Sequence, residues 1–109
     1  MARPIELAAA QKMLHLSESA SSRQLEFGLS YKEVLRLMTE KRCFYTGVLL
    51  TESGDYQRTI DRVDSTKGYV TGNVVACTKL INTFKGNIPV DVLLSLGKGI
   101  EKWQKNNNL

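Results

Sequence analysis

The sequence predicts an α+β domain in which a strand–loop–strand–helix unit stands between helices, on three observations. Tyr31, Val34, Leu35 and Met38 recur at helical spacing behind Ser30. From Cys43 the period shortens, and brief β-prone runs alternate with glycine turns as far as Ala76. Leu93, Leu96, Ile100 and Trp103 then restore the helical period.

Taken in order, Pro4 and the alanine run behind Glu6 and Leu7 predict a helix over residues 4–15. Ser17 to Ser22 reads as a polar break, and residues 22–27 as a short helix closed by Gly28. Glu33 stands three residues after Ser30, the spacing of a capping box, so an amphipathic helix covers 31–41. Cys43 to Gly47 is a short strand or knuckle. Val48–Thr51 and Gln57–Val63 flank a turn at Glu52–Asp55 and predict a hairpin. Lys67-Gly68 and Thr71-Gly72 mark a tight loop, and Val74–Ala76 a brief strand. Thr78–Lys85 is a short helix ending at Gly86, with Leu80 and Phe84 as its expected buried side. Thr78, Asn82 and Lys85 share the opposite face. The last helix starts near Pro89, is weakened by Gly97 and Gly99, and leaves Asn106–Asn108 as a frayed tail.

At 109 residues the chain suits one domain: a helical part over 1–42, a core over 43–86, and a helix and tail over 87–109. No apolar run approaches the roughly 20 residues that span a membrane. The N-terminus lacks the pattern of a secretory signal, so a cytoplasmic protein with no membrane partner is expected. Two cysteines, Cys43 and Cys77, and one histidine, His15, cannot build a four-cysteine zinc site; no structural zinc is expected, and the thiols read as buried and free. The net charge of +4 is uneven. Seven basic and seven acidic side chains cancel over residues 1–57, whereas residues 58–109 carry eight basic against four acidic. Such a half favours a polyanionic partner.

A hard divalent cation takes oxygen ligands, and magnesium usually draws only one or two from protein. Asp61 offers a carboxylate at a strand end, and Asn82 an amide oxygen on the short helix. If that helix packs across the strand, the two flank one ion with Lys85 about one turn beyond. On residues alone, Asp61 could equally pair with Arg58 or Arg62, and Tyr69 could simply pack against the hairpin. Lys79 and Lys85 could form a solvated face, and Arg23 and Glu26 a helix-surface pair.

Ile60-Asp61-Arg62-Val63-Asp64, Lys67-Gly68-Tyr69-Val70, Gly72-Asn73-Val74-Val75, Ile81-Asn82 and Lys85, in this order and spacing, resemble the HNH (His-Me finger, ββα-metal) endonucleases common in bacteriophages. Cys43-Phe44-Tyr45-Thr46-Gly47 resembles the knuckle of many such proteins, and Arg23, Glu26-Phe27 and Leu29-Ser30 the segment before it. The resemblance spans about residues 20–86. It implies a ββα-metal core, DNA as partner, Mg²⁺ or Mn²⁺ as cofactor, and a phage protein acting in host cytoplasm. It implies further that Asp61 and Asn82 are metal ligands and that Asn73 braces the loop by bonds to backbone.

The departure is Arg62, where most members have a histidine as general base. Arginine has no acceptor and stays protonated, so it cannot take a proton from water, but it can clamp a phosphate. Some relatives carry the Asp-Arg pair with a tyrosine seven residues on, here Tyr69, placed to act as the base. A phenol's ordinary pKa lies near 10, and a neighbouring guanidinium and metal ion would lower it. Arg23, Arg58, Lys67, Lys79 and Lys85 are the expected nucleic-acid contacts. His15 lies far from the motif, and Glu26 ranks below a surface role as a third ligand. The expected function is a metal-dependent DNA endonuclease of low sequence specificity. The alternatives are an inactive HNH-like module that binds DNA or a host protein, and a small regulator of a host enzyme.

Overall fold

The computed structural model describes residues 4–108. Helix α1 (Pro4–Ser22) is followed by strand β1 (Phe27–Gly28) and helix α2 (Tyr31–Thr39). Strands β2 (Arg58–Arg62), β3 (Tyr69–Val70) and β4 (Val74–Thr78) come next, then helices α3 (Lys79–Lys85) and α4 (Val90–Asn106). The α+β class and the β2–β4–α3 core are those expected from the sequence.

Helix α1 runs seven residues beyond its expected end. Ala9, Leu16 and Ala20 lie on one face and are buried, so the serine-rich stretch continues the helix rather than breaking it. It ends in a Schellman motif: Leu25 N–H donates to Ala20 O at 2.8 Å and Gln24 N–H to Ser21 O at 3.1 Å. Gln24 takes the left-handed position at φ 58°, so no glycine announces the stop. The short helix expected over 22–27 is therefore this turn and the start of β1, with Gly28 in the strand. Helix α2 carries the full capping box between Ser30 and Glu33, and buries Val34 and Leu37. Glu33 also accepts from the Thr71 hydroxyl at 2.8 Å, tying α2 to the loop before β4.

The expected hairpin has a different partner. β2 pairs antiparallel with β4, setting Asp61 opposite Val75 and Arg62 opposite Val74. The 48–57 stretch forms only isolated bridges, Arg42–Leu49 and Thr51–Gln57. β1 and β3 pair in parallel, Phe27 with Tyr69 and Gly28 with Val70. Leu16, Ala20, Leu29, Val34, Leu37, Val74, Ala76 and the ring of Tyr69 make the core beneath.

The β1–β3 crossing demands a glycine at 68. A Cβ there would lie 2.0 Å from Glu26 O and 2.7 Å from Glu26 N, backbone atoms that cannot swing aside. Gly68→Ala is expected to destabilise the fold by roughly 2–4 kcal/mol, read as a lower urea midpoint. An unchanged midpoint would show that the crossing is not tight.

Helix α3 is turned over relative to expectation. Leu80 and Phe84 are 49% and 57% exposed, whereas Thr78 and Lys85 are buried. The cause is tertiary: Lys85 finds a carboxylate and a carbonyl inside, so the polar face is the one the body accepts. Thr78 caps the helix, its hydroxyl accepting from Ile81 N–H at 3.1 Å. Helix α4 begins where expected but buries none of its residues, leaving Leu96, Ile100 and Trp103 about half exposed. It extends through Asn106, and Asn107 caps it by donating to Trp103 O at 2.8 Å. Among the described residues no helix is long and apolar enough to cross a membrane.

Candidate active site

Strand β2, the loop after it and helix α3 enclose a polar cleft of about 260 Å³. Asp61, Arg62, Tyr69 and Asn82 line it together, with Arg23 at its edge. Thr59 and Asp61 alternate onto one side of β2, and Asn82 reaches that side from α3, its Nδ2 donating to the Thr59 hydroxyl at 3.1 Å. With the nitrogen so used, the amide's Oδ1 is the free end.

Asp61 is held in a comparable way. Tyr45 donates its hydroxyl to Oδ2 at 2.7 Å, and Lys85 Nζ lies 3.3 Å from the same oxygen. Lys85 also donates to Arg62 O at 2.8 Å and is 2% exposed. Oδ1 of Asp61 has no partner among the described residues. No buried side-chain nitrogen or oxygen lacks a partner among them either, so Asp61 Oδ1 and Asn82 Oδ1 must reach solvent, and the cleft is the space beside them. Burial, and then the bond to Asp61, push the Tyr45 phenol far above its ordinary range, so it serves as a fixed donor. Tyr45 lies 16 residues before its partner, and its place in the knuckle is the one hint the sequence offers.

Arg62 is 9% exposed, and its Nη1 donates to Ser65 O at 2.7 Å and Lys67 O at 2.8 Å. Nε and Nη2 donate to none of the described residues. The guanidinium carbon stands 5.4 Å from the centroid of the Tyr69 ring. Tyr69 is 7% exposed, and its hydroxyl bonds to none of the described residues and so meets solvent. Asn73 staples the intervening loop. Its Oδ1 accepts from Asp64 N–H at 2.9 Å, and its Nδ2 donates to Asp64 O at 3.1 Å and Gly68 O at 2.9 Å. Asp64 is occupied with Thr66, whose hydroxyl and N–H hold its carboxyl below the usual range.

The expected basic contacts separate into groups. Lys85 is a correction: buried and paired with Asp61, it cannot touch DNA. Arg58 lies away from the cleft and spends its guanidinium on Glu40 O, at 3.0 Å from Nε and 2.8 Å from Nη2. Lys67 and Lys79 are exposed, and Arg23 borders the cleft. Glu26 sits on neither a helix nor the cleft wall, and its carbonyl accepts from Tyr69 N–H at 2.9 Å. His15 is exposed on α1, outside the cleft. Cys43 and Cys77 are buried and free, and burial pushes the Cys77 thiol up to about 11.

The donor set suits a hard cation. Asp61 and Asn82 line a cleft of about 260 Å³, each with an oxygen that no described residue occupies, and one carboxylate with one amide is the kind of share magnesium usually takes from protein. Among the described residues no three His, Cys, Asp or Glu side chains converge, so these two oxygens would be the protein's share.

No family model matches the chain. It is 27% identical over 85 residues, 77% of its length, to an uncharacterized 29.0 kDa protein of Enterobacteria phage T4 from the dda–modA intergenic region. The chain spans about a third (34%) of that relative. Its structure superposes on the rare-cutting HNH restriction endonuclease PacI with a TM-score of 0.62, covering 93% of this chain and 82% of PacI at 20% identity. The fold is that of an HNH endonuclease.

Proposed function

We propose that the chain is a phage-type HNH nuclease domain that hydrolyses phosphodiester bonds in DNA with Mg²⁺ or Mn²⁺, at low intrinsic sequence specificity. The observation that supports this reading is that Asp61 and Asn82, each with an oxygen unpartnered among the described residues, line one cleft with Arg62 and Tyr69. Asp61 and Asn82 would hold the cation. A bound divalent ion supplies stabilisation of the leaving oxygen and of the charge that builds on the phosphate.

The remaining work falls to the chain's own side chains. Arg62, anchored through Nη1 to two loop carbonyls, offers Nε and Nη2 to a non-bridging phosphate oxygen. Arg23 adds positive charge at the cleft edge. Tyr69, whose hydroxyl bonds to none of the described residues and whose ring lies under the Arg62 guanidinium, would as its phenolate take a proton from the attacking water. Asn73 keeps Arg62 and Tyr69 in register by closing the loop between them. Lys67 and Lys79 are exposed cations available to flanking phosphates. In the host cytoplasm, phage or host DNA would be the substrate.

Supercoiled plasmid incubated with the protein is expected to be nicked with Mg²⁺ or Mn²⁺ and spared with EDTA. Salt-dependent DNA binding without nicking would instead favour a module that has lost turnover, a reading the absence of a histidine from the cleft wall supports. DNA binding indifferent to salt would contradict both.

A further inference from the structure

The charge in the cleft runs against a free metal ion. Among the described residues Asp61 is the only carboxylate on its wall, against Arg62 and Arg23, and a third cation, Lys85, lies against Asp61 from behind. Lys85 cannot swing away. Its side chain is 3% exposed, its Nζ donates to Arg62 O at 2.8 Å, and it stands 3.3 Å from Asp61 Oδ2. Buried charges of this kind are weakly screened by salt, so the ammonium acts on anything that approaches Oδ1. A divalent ion arriving alone meets a carboxylate already neutralised by Lys85 and two further like charges, Arg62 and Arg23, around it. A phosphodiester arriving alone meets the opposite field.

We propose that Lys85 serves Asp61 as a built-in counter-cation, so that the cleft takes up a phosphodiester first and holds a divalent cation only once that phosphate is present. The inference rests on the nuclease-site reading above and adds to it an order of binding. It gives Lys85 a purpose that a DNA-contacting lysine would not have: it keeps the site closed to metal until substrate arrives. By linkage, the cation then tightens phosphate binding by the same factor as phosphate tightens the cation.

The test is a Mn²⁺ titration followed by electron paramagnetic resonance, which needs no cleavage. Thymidylyl-thymidine is the probe, since it carries one phosphodiester. The wild-type chain is expected to bind Mn²⁺ at least about tenfold more tightly when the dinucleotide is present. Lys85→Gln, without dinucleotide, is expected to bind Mn²⁺ about tenfold more tightly than wild type, and Lys85→Arg to stay near wild type. Equal Mn²⁺ affinity with and without the dinucleotide in wild type overturns the proposal, as does a folded Lys85→Gln variant with wild-type affinity. The dinucleotide arm uses the wild-type chain, so it decides the matter even if Lys85→Gln fails to fold. Asp61→Asn separates the two levels. If, with the dinucleotide present, it binds Mn²⁺ like wild type, the metal-site reading falls and this inference with it. If it loses Mn²⁺ while Lys85→Gln gains nothing, only the counter-cation falls.

Discussion

Asp61→Ala is expected to leave supercoiled plasmid intact in Mg²⁺ or Mn²⁺ under conditions where the wild-type chain nicks it. The loss should reach roughly 10²–10³-fold or more, the scale on which one electrostatic contact to a transition state is felt. Among the described residues Asp61 brings the only carboxylate to the cleft wall, and without it Asn82 offers a divalent ion no more than a neutral amide. The alanine variant also strands Lys85, a buried ammonium whose partner has gone, at a stability cost of about 3–5 kcal/mol. Asp61→Asn lessens that cost, leaving Lys85 a polar neighbour though not its counter-charge. It keeps an oxygen acceptor for Tyr45 and the side-chain volume, and it removes only the negative charge. Both variants inactive, with the asparagine variant folded by circular dichroism, is the expected pattern. An asparagine variant as active as wild type would remove Asp61 from the chemistry.

Tyr69→Phe should abolish cleavage by roughly 10²–10⁴-fold while leaving DNA affinity close to wild type. The ring of Tyr69 is part of the core beside Leu29 and Val74, and phenylalanine preserves it. Its stacking under Arg62 survives too, since that contact is with the ring face. What disappears is one hydroxyl that bonds to nothing in the described protein, so the fold has no structural use for it. Single-turnover cleavage and fluorescence anisotropy with a labelled duplex read the two effects separately. A phenylalanine variant that cuts at the wild-type rate would return the base to water or to the phosphate itself, with Tyr69 left as packing.

Local signals in the sequence carried well where one element settles its own geometry. The Ser30 and Glu33 capping box forms as its spacing dictates, and Thr78 starts a helix that Gly86 ends. Asp61 and Asn82 share a cleft because a strand end and the first turns of the helix after β4 are joined by a hairpin of fixed register. Signals failed where a distant partner decides. Nothing within residues 80–85 says that Lys85 goes inside and Phe84 outside, because the decision belongs to Asp61 and the Arg62 carbonyl 23 residues earlier. β2 passes over its neighbour in sequence to pair with β4, whose Val74 and Ala76 pack on the core. The end of α1 was hidden by a glutamine in a place where glycine is the usual marker. Tyr45 had only its place in the knuckle to mark it, yet its hydroxyl fixes which oxygen of Asp61 is left free.

Crystals of the wild-type chain grown with Mn²⁺ and a short uncleavable duplex offer the most direct measurement. The expected result is an anomalous difference peak roughly 2.0–2.3 Å from both Asp61 Oδ1 and Asn82 Oδ1, with a phosphate oxygen completing its shell. A peak bound elsewhere on the chain, with those two oxygens turned to water alone, would contradict the account at its root.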